Sequence, residues 1–273
     1  MQAPTSWHPP SGTLGRIVEQ TRERVAALRI RRDSLETRAR DAVAPPPFID
    51  SLRAGGDVAV IAEVKRRSPS KGVINPAIDG PSQALAYEAG GARAVSVLTE
   101  NAHFGGTPED LDAIRGAVRI PLLKKDFHID ALQVVEARTL GASALLLIAR
   151  AVAPGALIEL ARLTRGAGIE PLIEVRDERE LELAIEAGAR VIGVNSRNLE
   201  TLEIDPRVCD RVIPLVPRDC VAVFESGVSG RADVDRAAAL GAGAVLVGSA
   251  ISAAADPAQA VRALTGVSRA RRG

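Results

Sequence analysis

The sequence predicts an α/β fold, a (β/α)8 TIM barrel with an N-terminal helical extension, on three observations. From Val58 onward an apolar, β-branched run followed by an amphipathic stretch recurs eight times, and such a period marks one supersecondary unit repeated. The runs are apolar nearly throughout, as strands covered on both faces of a parallel sheet must be. Four of them are entered by the same pair, Gly91-Ala92, Gly141-Ala142, Gly188-Ala189 and Gly241-Ala242, in which glycine suits the left-handed residue that closes a helix. These pairs return about every 50 residues, twice the length of a βα unit, and so mark the even-numbered strands. Eight such units imply closure into a barrel. An open doubly wound sheet is the alternative, but the first strand is followed by no Gly-x-Gly-x-x-Gly turn.

Residues 1–50 are expected to form the extension and residues 51–273 the barrel. Leu14, Ile17, Val18, Val25, Leu28 and Leu35 recur at helical spacing through an Arg- and Glu-rich stretch that runs to about Arg40, which predicts one or two amphipathic helices. Arg29, Arg31 and Arg32 are interleaved with Glu19, Glu23, Asp33 and Glu36, the pattern of a solvated helix face rather than a nucleic-acid patch. Pro45-Pro46-Pro47 ends the helices. The strands are expected at Val58 to Lys65, Ala94 to Thr99, Pro121 to Asp126, Ala144 to Ala149, Pro171 to Val175, Val191 to Ser196, Val221 to Ser226 and Ala244 to Ser249.

Composition excludes several functions. A net charge of +1 and 2% aromatic residues provide neither the field nor the stacking surface that nucleic acid needs. Residues Met1 to Pro10 lack a basic start and an apolar core, and no run approaches ~20 apolar residues, so no export or membrane-spanning signal is expected. Cys209 and Cys220 make no disulfide framework or zinc spacing, and they read as reduced thiols of a cytoplasmic protein. His8, His103 and His128 have no ligand-like spacing, and no metal is expected.

Chemistry is expected where charges interrupt the apolar strands. In a barrel the strand ends supply the active face. Strand one carries Glu63 and Lys65, which alternation places on one face, strand three Lys124, Lys125 and Asp126, strand five Glu174, and strand seven Glu225. The even strands carry no charge, and side chains that fill one layer of a barrel come from alternate strands. Only one of Lys124 and Lys125 can face inward. Asn195-Ser196-Arg197, Ser226-Gly227 and Gly248-Ser249 offer small residues, hydroxyls and an arginine late in strands six to eight. There the loops after strands seven and eight usually bind phosphate. Phe104 and Phe127 fall just after strands, where they could wall an aromatic pocket.

With these residues in place the chain closely resembles the indole-3-glycerol-phosphate synthases of tryptophan biosynthesis. The resemblance rests on Ile61-Ala62-Glu63-Val64-Lys65-Arg66-Arg67-Ser68-Pro69-Ser70, Leu122-Leu123-Lys124-Lys125-Asp126-Phe127, Pro171-Leu172-Ile173-Glu174-Val175, Gly193-Val194-Asn195-Ser196-Arg197-Asn198-Leu199, Glu225-Ser226-Gly227 and Val247-Gly248-Ser249. It implies ring closure of 1-(2-carboxyphenylamino)-1-deoxyribulose 5-phosphate with loss of carbon dioxide and water, without cofactor. By position in the motifs, Lys125 is implied as the acid and Glu174 as the base. Lys65 is implied as the carboxylate partner or second acid, with Glu63 and Asn195 orienting. The resemblance implies contacts to substrate from Ser68, Pro69, Phe104, Phe127, Leu146, Arg197, Leu199 and Glu225, and to its phosphate from Ser226, Gly227, Gly248 and Ser249. No obligate protein partner is implied. Phe224 departs from the small residue usual before Glu-Ser-Gly. An inward lysine that forms a Schiff base is the alternative chemistry, and a catalytically dead barrel used as a scaffold the alternative outside enzymes.

Overall fold

The computed structural model describes residues 7–270, so Met1 to Ser6, part of the stretch read as lacking a leader, lie outside the described residues. Eight strands, β1 Ala59–Val64, β2 Ala94–Leu98, β3 Leu122–Lys125, β4 Ala144–Ile148, β5 Glu170–Val175, β6 Val191–Asn195, β7 Val221–Glu225 and β8 Ala244–Val247, form a closed parallel barrel in which β1 pairs with both β2 and β8. Each strand is buried along its length except for Lys125, which ends β3 half-buried. This burial is why alternation of polar and apolar residues is absent from the sequence. The four Gly-Ala pairs turn as expected, with φ of 95° at Gly91, 76° at Gly141, 72° at Gly188 and 89° at Gly241.

Three helices precede the barrel: α1 Gly12–Ile30, α2 Arg32–Asp41 and α3 Phe48–Arg53. Leu14, Ile17, Val18, Thr21 and Val25 bury one stripe of α1. That stripe lies across the C-terminal ends of the strands. Helix α2 packs on the helix Ala131–Thr139. Phe48, Ile49 and Leu52 of α3 are buried at the opposite end of the barrel, where α3 meets β1, β2 and β7. The loop after β1 contains a short ribbon, Arg67–Ser68 against Gly72–Val73. No helix among the described residues is long and apolar enough to cross a membrane.

Candidate active site at the C-terminal mouth

A cavity of about 230 Å³ opens at the C-terminal ends of the strands beneath α1. The residues singled out from the sequence as site candidates line it, from Glu63 and Lys65 on β1 round to Gly248 and Ser249 after β8, with the exceptions of Lys124 and Ser196. The odd strands bring their charges into one volume. Lys65 Nζ lies 2.7 Å from Glu63 Oε1, as their shared strand face requires. Lys125 Nζ lies 3.0 Å from Glu174 Oε2 and 3.3 Å from Glu225 Oε2.

Lys124 takes the other face. Its ammonium, buried among the helices, is 3.1 Å from Glu136, 3.7 Å from Asp126 and 3.3 Å from His128 Nε2. His128 Nδ1 is 2.6 Å from the Leu146 carbonyl, so the proton belongs on Nδ1 and Nε2 accepts from the ammonium. Burial, reinforced by Lys124, holds the ring neutral and its pKa down to about 3. Asp126 accepts from Thr99 at 2.7 Å and from both terminal nitrogens of Arg24 on α1, at 2.8 and 3.0 Å. Burial would lift this carboxyl, but Lys124 and Arg24 outweigh it and hold it well below the usual carboxylate range.

The inner triad is tightly coupled. Burial alone would deprotonate Lys125, but the charges of Glu174, Glu225 and Glu63 overcome it and raise its pKa. Burial pushes Glu225 up to about 8 against the pull of Lys125, and the charge of Glu174 adds to the rise. Glu174, buried as deeply, is held low by Lys125 and by hydrogen bonds to Asn195 and Lys125. Two glutamates sharing one ammonium repel each other when both are ionised, and burial puts the proton on Glu225. Its Oε1 has no partner among the described residues.

Two glycines make room for these carboxylates. A Cβ at Gly193 on β6 would collide with Glu225 Oε1, and one at Gly248 with Glu63 Oε1. The sequence points to Gly248 as a phosphate contact and leaves this steric role unseen. Ser226 and Gly227 have φ of 65° and 80°, left-handed values in succession that turn the backbone over the mouth. Ser226 Oγ donates to Asn195 Oδ1 at 2.8 Å. Arg197 lines the cavity with one terminal nitrogen tied to the Leu202 carbonyl at 2.8 Å. Phe104 and Phe127 meet with ring centroids 6.1 Å apart. Phe224 is buried facing away from the cavity, with the Arg236 guanidinium 6.0 Å from its ring centre, so its size leaves the mouth unchanged.

Thr13, Ile17, Ser70, Lys71 and Ser229 also line the cavity and are not picked out by the sequence. A signal for Lys71 is present in the composition. The chain has four lysines, Lys65, Lys71, Lys124 and Lys125, against 31 arginines, and all four lie in the mouth or directly behind it.

A closed eightfold barrel with a recessed lysine ammonium between two glutamates at its C-terminal mouth defines a (β/α)8-barrel enzyme. The family model described as indole-3-glycerol phosphate synthase matches residues 14–264, and the chain belongs to that family. Its reaction is accordingly the formation of indole-3-glycerol phosphate in tryptophan biosynthesis, and its substrate is a small phosphorylated molecule. An indole-3-glycerol phosphate synthase of Mycolicibacterium vanbaalenii is 46% identical over 250 residues, covering 91% of this chain and 92% of the relative. An "indole-3-glycerol phosphate synthase 2" of Streptomyces coelicolor is 45% identical over 258 residues, covering 94% of this chain and all of the relative. Among solved structures, 3-hexulose-6-phosphate synthase from Salmonella typhimurium superimposes with a TM-score of 0.60 at 18% identity, covering 76% of this chain and 96% of that one. That likeness concerns the fold alone.

Proposed function

We propose that this cavity closes the indole ring of 1-(2-carboxyphenylamino)-1-deoxyribulose 5-phosphate with Lys125 as the proton donor and Glu174 as the base. The observation that carries the assignment is the Lys125 ammonium held between Glu174 at 3.0 Å and Glu225 at 3.3 Å. Attack of the aromatic carbon on the ketone builds negative charge on oxygen, and an ammonium kept charged beside the Glu174 carboxylate stabilises and protonates that oxygen. Loss of carbon dioxide from the attacked carbon restores the aromatic ring, and Glu174, ionised beside Lys125, takes the proton that leaves from the amine side when water is eliminated. Lys65, fixed by Glu63, faces the substrate carboxylate and serves as the second acid when hydroxide leaves.

The remaining contacts follow from chemistry. Asn195, held by Ser226, orients the ketose hydroxyls. Backbone amides at Ser226, Gly227, Gly248 and Ser249, joined by Arg197, receive the phosphate. Ser68, Pro69, Phe104, Phe127, Leu146 and Leu199 enclose the anthranilate ring, and Glu225 braces Lys125. We assign residues 1–50 to a helical extension over the mouth and residues 51–273 to the catalytic barrel. The protein acts in the cytoplasm on a diffusible ester, with no nucleic acid, membrane or obligate protein partner.

The test is formation of indole-3-glycerol phosphate, followed by indole fluorescence. Lys125→Ala should cut kcat by about 10²–10⁴, the range of general acid catalysis, with the far-ultraviolet circular dichroism unchanged; retention of more than a few per cent of activity removes Lys125 from the acid role. Glu174→Gln should lower kcat at nearly constant KM, and a change confined to KM contradicts the base assignment.

A further inference from the structure

The seam between β3 and β4 is the shortest ladder of the barrel. It is in register only at Leu123 with Ala144 and Lys124 with Leu145. On its other side β4 runs with β5 from Ala144 with Glu170 to Ile148 with Glu174. The β3–β4 register therefore ends one residue short of Lys125 and Leu146, both of which line the mouth. Beyond that point a side chain joins the two strands: His128 Nδ1 donates to the Leu146 carbonyl at 2.6 Å.

His128 is fixed from its other edge. Its Nε2 accepts from the Lys124 ammonium at 3.3 Å, and that ammonium is anchored by Glu136 at 3.1 Å and Asp126 at 3.7 Å. The ring is buried and stays neutral, so Nδ1 keeps the one proton that the bond to Leu146 needs. Phe127, the residue before it, is pinned as well. Its amide donates to Asp126 Oδ1 at 2.7 Å, and its carbonyl accepts from Gln133 at 3.0 Å. The imidazole thus ties the segment that carries Phe127 to the strand that carries Leu146, and both side chains face the cavity. None of the proton transfers assigned at the mouth uses His128. A leucine would fill the same space with less desolvation, but it has no donor to offer Leu146.

We propose that His128 is a positioning residue that fixes the gap between Phe127 and Leu146 and so decides which substituted anthranilate rings the mouth admits. The inference rests on the function proposed above. Its test compares kcat/KM for the unsubstituted substrate with that for analogues carrying one methyl group at each free ring position. The parent should favour the unsubstituted ring over at least one analogue by about tenfold or more, the worth of one methyl group in a close-fitting pocket. His128→Leu should shrink that preference by about threefold or more, a share of the same steric term. His128→Asn, whose side-chain amide stands in for the Nδ1 donor, should restore it. General loss of stability slows every substrate alike and leaves the ratio where it was. An unchanged ratio in His128→Leu, or equal ratios in the two variants, overturns the proposal; failure of the parent to form indole-3-glycerol phosphate overturns the function and this inference with it. Without recourse to turnover, ¹⁵N NMR of the parent's imidazoles should find His128 protonated on Nδ1 and bare on Nε2 at neutral pH, and the opposite tautomer would sink the idea even if neither variant folds.

Discussion

Glu225 holds a proton where most carboxyls have lost theirs, and this has a measurable sign. Its folded pKa of about 8 stands above the ordinary 4.5, so its contribution to stability is fully present below pH 4.5 and is lost as pH rises through 8. Glu225→Gln keeps the shape and cannot ionise. Across that interval the melting temperature of the variant should fall less with pH than that of the parent, in parallel calorimetric scans; parallel curves would contradict the raised pKa. Gly193→Ala attacks the same group sterically. Its methyl displaces Glu225 from Lys125 and should cost about 1–3 kcal/mol in chemical denaturation, the usual range for overpacking, together with a fall in kcat. At this scale the sequence is informative about charges and poor about voids. Alternation along β1 puts Glu63 and Lys65 on one face, and they meet at 2.7 Å. Nothing local marks Gly193, because its role is set by an atom 32 residues further along the chain.

Helix α1 is held over the mouth by two clasps. Arg24 grips Asp126 at the end of β3. At the helix start, a single oxygen of Glu200 accepts from the Ser11 amide at 2.6 Å, the Ser11 hydroxyl at 3.0 Å and Arg150 at 3.0 Å. Arg24→Ala leaves the Asp126 carboxylate short of two donors and should cost about 1–3 kcal/mol of docking. Hydrogen exchange should then quicken along α1 while the barrel strands stay protected; uniform exchange would mean that the clasp does not hold the helix. The helical period of Leu14, Ile17, Val18 and Val25 is readable from the sequence, but periodicity identifies a face and not what it covers. That is why Thr13 and Ile17 are missed as lining residues. All eight strands lie within a residue or two of their expected limits because continuous apolar runs have sharp ends. The ribbon at Arg67–Ser68 and Gly72–Val73 is too short to leave a period.

The barrel closes only if its first and last helical layers fit, and the seam is narrow. Gly90, which ends the helix Gly80–Ala89, faces the helix Pro257–Arg262, and a Cβ there would collide with the Ala258 carbonyl and lie 2.8 Å from Val261 Cβ. Gly90→Ala should therefore lower global stability by about 1–3 kcal/mol, read as a lower urea midpoint at constant slope; an unchanged midpoint would show that the seam gives way freely. The near-replacement of lysine by arginine across the molecule has a practical corollary. An acylating reagent that attacks primary amines finds its side-chain targets gathered at one end of the molecule. Lys71 is exposed, Lys65 and Lys125 are recessed and Lys124 is buried. The order in which they acquire label becomes a map of depth into the mouth, and protection of Lys65 by a bound ester would report occupancy without an assay of turnover.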